Sequence, residues 1–219
     1  MLNETPFPGF LMTERRCFFM QEIKQYPWAG CGTDKEITGC RFSLAIMADD
    51  YADKILAALK KTDTTHVHSQ TDILSTTYRG HMTNVINAVR DLFVNVNDEQ
   101  THITLEATLS KGCPGDTEED IPMALIARDA GNKSESFPVH CKFSFYPMGE
   151  GNYMDHIAHI ILRAQALGIY DRPSHYATQL VGDVNTLFDY FHEIMSYADA
   201  HLNHFIYQIT LSVNSPSLK

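Results

Sequence analysis

The stretch Cys40–Met47 decides the fold because the chain contains a second copy of it. It reads Cys-Arg-Phe-Ser-Leu-Ala-Ile-Met, and Cys141–Met148 reads Cys-Lys-Phe-Ser-Phe-Tyr-Pro-Met, 101 residues further along the chain. Besides the cysteine, the copies share a phenylalanine, a serine and a methionine at equivalent positions: Phe42 and Phe143, Ser43 and Ser144, Met47 and Met148. Both copies are mostly apolar, as buried strands are. The chain is therefore predicted to contain two copies of one module.

The similarity continues beyond this strand at an offset of 102 residues. Gly80 corresponds to Gly182, Thr76 corresponds to Thr178, and His102–Ser110 corresponds to His204–Ser212. A period of about one hundred residues is too long for a solenoid, whose units have ~20–50 residues, and it is the length of a small domain. We therefore expect a duplicated domain.

Hydrophobic periodicity predicts the order β-α-β-β-α-β in both modules, which is the ferredoxin-like arrangement of the α+β class, with antiparallel sheets. The middle strands of module one are predicted at His66–Gln70 and Ile73–Arg79. The predicted boundaries are an N-terminal extension at 1–30, module one at 31–116, a linker at 117–138 and module two at 139–219. Because helices cover one sheet face only, we expect the other face to be covered by sheet-on-sheet packing, between the modules or in a dimer.

The composition is that of a globular protein, with 44% hydrophobic residues and a net charge of −10. An acidic protein repels phosphate backbones, so nucleic acid is not an expected partner. No segment approaches the ~20 apolar residues that insert into a membrane, and the chain does not begin with a secretory signal pattern. The five cysteines form no Cys-x-x-Cys pair, which predicts a cytoplasmic protein without a disulfide scaffold or zinc ribbon.

Polar residues cluster at Thr71–Thr77 and, in module two, at Ser174–Thr178. One interpretation is a rim of hydroxyl groups and a carboxylate, Asp72, that hydrogen-bonds a polar heterocycle. The alternative is a threonine-rich strand selected by β-propensity alone. The residue types do not decide between these two interpretations.

Aromatic and thioether side chains lie near the first strand of each module, and apolar walls with a few polar groups are typical of a small-molecule pocket. Packing in the core is the alternative for each of them. Ser43 and Ser144 place a hydroxyl in an otherwise apolar strand, so each needs a hydrogen-bond partner, which is either backbone or ligand. The aromatic and thioether residues are Phe42, Met47, Phe143, Tyr146, Met148 and Tyr176.

Neither catalysis nor metal binding is predicted. Cys113 lies in Cys-Pro-Gly-Asp, a typical tight turn, and module two lacks a thiol at the equivalent position. The eleven histidines form no recognised ligand pattern with cysteines or carboxylates, and no pair of them recurs in both modules. Surface and capping roles are the expected ones for the three closest pairs: His66 and His68, His156 and His159, His201 and His204.

Several short motifs, in this order and spacing, resemble the YkoF family of bacterial thiamine/hydroxymethylpyrimidine-binding proteins. The resemblance covers about residues 31–219. It rests on Cys31-Gly32-Thr33, Gly39–Met47, Thr71-Asp72 with Ser75-Thr76, Gly112–Asp116, His175-Tyr176-Ala177 and Leu211–Ser217.

The resemblance implies tandem ferredoxin-like, ACT-like modules, a homodimer and one ligand site per module. It also implies a non-enzymatic role in thiamine or precursor salvage, alongside a membrane transporter, with thiamine or hydroxymethylpyrimidine as ligand and no cofactor. The candidate ligand-binding residues are Phe42, Ser43, Met47, Asp72, Ser75, Thr76, Ser144, Tyr146, Met148, Tyr176 and Thr178.

The two sites are expected to differ in affinity, because Asp72 corresponds to Ser174 and Ser75 corresponds to Ala177. Two other functions stay open. An ACT-like regulatory module would sense a different metabolite, since a shared fold does not determine function. A small enzyme would use Cys113 or a His–Asp pair and would turn over its ligand.

Overall fold

The computed structural model of the protein describes residues 37–111, 127, 133–149 and 151–218. The predicted N-terminal extension, the motifs at Cys31–Thr33 and Gly112–Asp116 and most of the predicted linker lie outside these residues. Module one consists of β1 (Thr38–Ile46), α1 (Tyr51–Lys61), β2 (His68–Thr71), β3 (Thr76–Gly80), α2 (Met82–Val96) and β4 (Ile103–Lys111).

Module two repeats the same order of elements. It consists of β5 (Pro138–Met148), α3 (Tyr153–Ala166), β6 (Tyr170–Ser174), β7 (Ala177–Asp183), α4 (Val184–His201) and β8 (His204–Val213), followed by a short 3-10 turn at Pro216–Leu218. The α+β class and the tandem duplication of a ferredoxin-like fold are therefore confirmed.

Two helices begin at side chains that cap them. The Asp183 carboxylate accepts a hydrogen bond from the amide of Asn185 at 2.9 Å, and α4 follows directly. His81 takes the same position before α2, where its Nδ1 accepts a hydrogen bond from the amide of Thr83 at 3.3 Å. The first amides of a helix have no partner within the helix, so these caps define where both helices start.

The turn between β2 and β3 differs from the prediction. Ile73 and Leu74 were expected in a strand, but they lie in the turn, and β3 begins at Thr76. The Asp72 carboxylate accepts hydrogen bonds from the amides of Leu74 and Ser75, at 2.7 and 2.9 Å. An aspartate that binds the amides just ahead of it favours a turn over an extended strand.

The strands form one eight-stranded antiparallel sheet in the order β2-β3-β1-β4-β8-β5-β7-β6. The modules join where β4 pairs with β8, from Ile103↔Val213 to Ser110↔Ile206. The expected face-to-face packing of the two modules is therefore wrong, and packing of this kind in a dimer stays a prediction. If β4 or β8 were unpaired, each would expose a row of backbone N–H and C=O groups. Their pairing gives these groups hydrogen-bond partners in both strands.

The seam between the modules has two-fold pseudosymmetry. Ala107 pairs with Ile209, which is its own equivalent in the repeat. On either side, Leu105 pairs with Leu211 and Leu109 pairs with Tyr207, so each pair is the repeat equivalent of the other. A self-complementary register of this kind is what two identical subunits form in a two-fold dimer. Here it lies within a single chain.

The four helices cover one face of the sheet. α2 and α4 lie side by side at the seam, where Thr83 Oγ1 and His192 Nε2 are 3.0 Å apart. Beneath them the inward residues of the strands make aromatic contacts, such as Phe42 with Tyr78, whose ring centroids are 4.9 Å apart. Burial of these apolar groups is the main term that stabilises the fold.

The opposite face of the sheet, which we call the open face, carries polar side chains. They alternate along each strand with the buried apolar residues, as expected for an antiparallel sheet with one solvated face. Exposed members from the four central strands are Arg41, Ser43, Glu106, Lys142 and Gln208. None of the helices in the described part of the chain has the length and apolar character needed to cross a membrane.

We expect Leu211→Ala to lower the free energy of unfolding of the whole chain by about 2–5 kcal/mol, because Leu211 is fully buried at the seam. Urea denaturation followed by circular dichroism measures this change. Thr210→Ala, on the open face of the same strand, is the control and should cost less than ~1 kcal/mol. A loss below ~1 kcal/mol for Leu211→Ala, or a second transition confined to module two, would contradict the packing of the seam.

Candidate functional site

In both modules, one neighbour of the first strand stops before the strand ends. β1 pairs with β3 only as far as Phe42↔Thr76, whereas β4 accompanies it to Ile46↔Ile103. β5 repeats this arrangement, because its pairing with β7 ends at Phe143↔Thr178 and its pairing with β8 continues to Met148↔His204. Within the described residues, the last part of β1 and of β5 therefore has one edge without a strand partner.

In module two, a cavity of about 720 Å³ lies next to the N-terminal end of β7, and we call it the strand-end cavity. Its volume falls in the range of ~300–1,000 Å³ that is common for small-molecule sites. β5, the start of α3 and the turn between β6 and β7 line it. The lining residues are Phe143, Ser144, Phe145, Tyr146, Pro147, Tyr153, Ile157, Ser174, Tyr176, Ala177 and Thr178.

Three tyrosines surround this cavity and leave aromatic surface accessible. Tyr146 and Tyr153 are 46% and 49% exposed, while Tyr176, at the tip of the turn, is 98% exposed. Exposed apolar side chains that are grouped together mark interaction sites and ligand-binding grooves. The cavity therefore combines a buried apolar floor with aromatic side chains at its entrance.

The turn that carries Tyr176 is held over the open face of the sheet. The Ser144 hydroxyl donates a hydrogen bond to the Tyr176 carbonyl at 2.9 Å. Tyr176 has a positive φ of 62°, a left-handed conformation that few non-glycine residues adopt and that is often found where a ligand binds. The Tyr176 ring is thus presented by a strained and anchored turn.

Module one has the same anchor. The Ser43 hydroxyl donates to the Leu74 carbonyl at 3.1 Å, across the equivalent turn between β2 and β3. Of the two partners that the repeated serines were expected to have, backbone or ligand, the structure shows backbone in both modules. Each serine thereby fixes a turn at the edge of its site.

Two comparisons with known proteins agree with this duplicated architecture. The model of the "YKOF-related Family" matches the chain twice, at residues 37–116 and 138–218. A Bacillus subtilis (strain 168) protein named "Putative HMP/thiamine-binding protein YkoF" is 38% identical over 195 residues, which cover 86% of this chain and 96% of that protein. The chain belongs to the YkoF-related family. Each match of the family model spans one ferredoxin-like module, so the family relationship includes the duplication itself.

The structure places four of the predicted site residues around the strand-end cavity. These are Ser144, Tyr146, Tyr176 and Thr178. Met148 lies further along β5, opposite His204, and is 44% exposed. Whether any of these residues contacts a ligand stays a prediction.

The module-one candidates of this YkoF-related chain occupy varied environments. Phe42 is buried in the core against Tyr78, and Met47 is exposed just after β1. The Thr76 hydroxyl lies 3.0 Å from the Thr71 hydroxyl. The Ser75 hydroxyl is shielded from solvent and has no hydrogen-bond partner among the described residues, so it is a polar atom that a ligand could satisfy.

Asp72 has several partners within the protein. Besides the amides of Leu74 and Ser75, it binds the Arg41 guanidinium, with Oδ2 and NH2 2.7 Å apart. The hydrogen bonds from the Leu74 and Ser75 amides, followed by the charge of Arg41, lower the pKa of the Asp72 carboxyl. The carboxylate therefore organises the turn of module one, whatever else it contacts.

Tyr153 and Ile157 line the strand-end cavity but were not predicted as site residues. Tyr153 is the first residue of α3, and the equivalent Tyr51 is the first residue of α1. Ile157 and Ile55 follow one turn later in each helix. This repetition at an offset of 102 residues was a signal in the sequence, and extending the repeat into the helices would have found it.

Among the described residues, no group of histidine, cysteine, aspartate or glutamate side chains is arranged to hold a metal ion. His156 Nδ1 lies 2.9 Å from the Tyr197 hydroxyl. The rings of His159 and His201 stack on the Tyr197 ring, with centroids 4.0 and 4.3 Å from its centroid. Burial raises the pKa of the Cys40 thiol to about 12, so this cysteine stays protonated and unreactive at neutral pH. Cys113 lies outside the described residues.

We expect NMR titration to find the pKa of Asp72 below its ordinary value of 3.8. A carboxyl whose folded pKa is lowered stabilises the folded state fully above its unfolded pKa, and this contribution is lost as the pH falls through the folded pKa. Amide hydrogen exchange at Leu74 and Ser75 should therefore accelerate only at strongly acidic pH. Asp53, exposed on α1, is the reference carboxyl. A pKa of Asp72 at or above 3.8 would contradict the observed hydrogen bonds.

Proposed function

We propose that the protein binds thiamine or its hydroxymethylpyrimidine moiety without catalysing a reaction, with one site in each module. The observation that carries this proposal is the strand-end cavity, in which an unpaired strand edge lies between aromatic side chains. The name of the Bacillus subtilis relative, which refers to HMP/thiamine binding, supports the ligand class.

The unpaired edge of β5 suits an aminopyrimidine chemically. This ring presents an exocyclic amine, which donates hydrogen bonds, beside ring nitrogens, which accept them. A free strand edge presents both backbone C=O and N–H groups, so it can accept and donate hydrogen bonds within a few residues. Such a ring would complete hydrogen bonds that β7 leaves unmade after Phe143↔Thr178.

The aromatic side chains suit the remainder of the ligand. Tyr146, Tyr153 and Tyr176 can stack against a planar heterocycle, and stacked aromatic pairs favour binding by ~0.5–1.5 kcal/mol beyond area burial. A thiazolium ring carries positive charge, which the face of an aromatic ring also attracts. The net charge of −10 favours the approach of such a cation.

The two sites differ in the side chains at their entrances. Ala45 and Leu74 in module one take the positions of Tyr146 and Tyr176 in module two. Module two therefore offers more aromatic surface, and we propose that it binds the ligand more tightly. In module one, the Ser75 hydroxyl supplies a polar partner that Ala177 cannot.

We also propose a role in the salvage of thiamine or its precursor, in the cytoplasm and alongside a membrane transporter. A homodimer is part of this proposal. The open face is its candidate interface, because it is the face of the sheet that the helices leave uncovered.

Calorimetric titration with thiamine, and separately with hydroxymethylpyrimidine, tests the proposed function. We expect saturable binding of each compound at two unequal sites per chain. Mass spectrometry of the incubated compounds should show them unchanged. Absence of heat and of thermal stabilisation from a folded protein would overturn the ligand assignment, and titration with amino acids would then test metabolite sensing.

An exchange of residues at the entrances tests the origin of the unequal affinities. Tyr146→Ala should weaken the tighter site about tenfold, the equivalent of ~1.4 kcal/mol, because it removes one aromatic wall. Ala45→Tyr should strengthen the weaker site. Leu162→Ala, at an exposed position of α3 that does not line the cavity, is the matched control. If both exchanges leave the two affinities unchanged, the tyrosine does not contact the ligand.

A further inference from the structure

The unpaired edge at each candidate site exposes the backbone of alternate residues. In an antiparallel strand, the N–H and C=O groups of one residue point to the same side, and those of the next residue point to the other side. The Met47 amide donates a hydrogen bond to the His102 carbonyl at 3.0 Å, so the backbone of Met47 is directed towards the β4 side. Counting back along β1, Ile46 and Leu44 therefore direct their backbone groups to the edge that β3 leaves unpaired.

Phe145 and Pro147 take these two positions in module two. The pairing Pro147↔Phe205 is the repeat equivalent of Ile46↔Ile103, so the same alternation applies to β5. A proline is compatible with a strand where its nitrogen does not have to donate to a neighbouring strand. The N–H that Pro147 lacks is therefore missing from the unpaired edge, and both residues line the strand-end cavity.

Hydrogen-bond donors predominate at the unpaired edge of module one. Leu44 contributes an N–H and a C=O, and Ile46 contributes an N–H. The Ile46 carbonyl is already occupied, because it accepts a hydrogen bond from the Ala48 amide at 3.0 Å. The edge thus offers a ligand more N–H groups than C=O groups.

Acceptors predominate at the unpaired edge of module two. Phe145 again contributes an N–H and a C=O, but Pro147 contributes only a C=O. Gly149, which is equivalent to Ala48, has a positive φ of 79° and makes no hydrogen bond to the Pro147 carbonyl within the described residues. The two edges therefore offer opposite ratios of donors to acceptors, although the strands are equivalent.

This difference affects which pyrimidine each edge can bind. The exocyclic amine of an aminopyrimidine donates hydrogen bonds, whereas the exocyclic oxygen of an oxopyrimidine accepts them. Phe145 or Leu44 alone has one donor and one acceptor, so it can pair with either ring. Beside the Pro147 carbonyl, an exocyclic oxygen would meet a second acceptor, whereas the Ile46 N–H could donate to it. Binding that leaves acceptors without donors is weakened.

We propose that Pro147 is a specificity-determining residue, through which the module-two site selects an aminopyrimidine over the corresponding oxopyrimidine, while the module-one site accepts both. The inference rests on the proposed function, since the ring must lie against the unpaired edge. Backbone groups at a strand edge point along the sheet, so a second copy on the open face would not compete for their hydrogen bonds.

NMR titration of the isotope-labelled full chain tests this inference. The two probes are hydroxymethylpyrimidine and its oxo analogue, in which oxygen replaces the exocyclic amine. The Phe145 amide reports on module two, and the Ile46 amide reports on module one. We expect the oxo analogue to bind module two at least about tenfold more weakly than hydroxymethylpyrimidine, and module one within about threefold of it.

Two variants separate the missing N–H from the shape of the proline ring. Pro147→Ala and Pro147→Val both restore the N–H but differ in their side chains. In each, we expect the preference of module two for the amino compound to fall below about threefold, because the new N–H can donate to the exocyclic oxygen. Pro138→Ala, at the exposed first residue of β5 and outside the cavity, is the control and should retain the preference.

The comparison within module two decides the role of Pro147. If this site binds both compounds equally in the unaltered protein, or if both Pro147 variants keep the full preference, the inference is wrong and the proposed function stands. Equal weakening of both compounds in the variants would likewise overturn it, because it would assign Pro147 a packing role only. If neither compound binds the folded protein and thiamine gives no heat, the proposed function fails and the inference fails with it.

Discussion

The hydrogen-bonded pairing of β4 with β8 joins two small modules into one sheet. Each module alone would expose an edge strand at this position, with a row of unsatisfied backbone groups. The pairing removes both edges together and brings α2 and α4 side by side over the seam. Ala107 pairs with Ile209, its own equivalent in the repeat, so the pairs on either side of this point are equivalent to one another. The arrangement has the geometry of a two-fold dimer, but the covalent connection makes it independent of protein concentration.

The position of the candidate sites follows from this seam. The central strands β4 and β8 are long and accompany β1 and β5 to their ends. The outer hairpins are short, so the pairing of β3 with β1 ends at Thr76 and that of β7 with β5 ends at Thr178, which leaves part of each first strand without a partner. In module two, this missing pairing becomes a cavity, because α3 closes it from one side and the turn at Tyr176 borders it on the other. Ser43 and Ser144 hold the two turns in equivalent positions.

The two modules have diverged at the rims of their sites rather than in their frameworks. Residues of the seam and the core contact many neighbours, and a change there would create a cavity or a steric conflict. Residues at the tips of the turns are exposed and can change at little cost to stability. Two differences between the modules are of this second kind. Asp72 in module one corresponds to Ser174 in module two, and Leu74 corresponds to Tyr176. The framework of the two candidate sites can therefore stay common to both modules while the charge and aromatic character of each entrance differ.

The sequence by itself determined the duplication, because the same motifs recur at an offset of 101–102 residues. It also determined the β-α-β-β-α-β order and the strand faces, because these follow from hydrophobic periodicity within a few residues. It also predicted Ser144, Tyr146, Tyr176 and Thr178 as candidate ligand-binding residues, and the fold brings these four together around one cavity. It did not reveal the edge-to-edge junction of the modules, because the same alternating strands are compatible with face-to-face packing. The proximity of Tyr153 to Tyr146 depends on contacts that cross from one element to another. Only the tertiary structure decided these features, since the free energies of competing long-range arrangements are not encoded in local patterns.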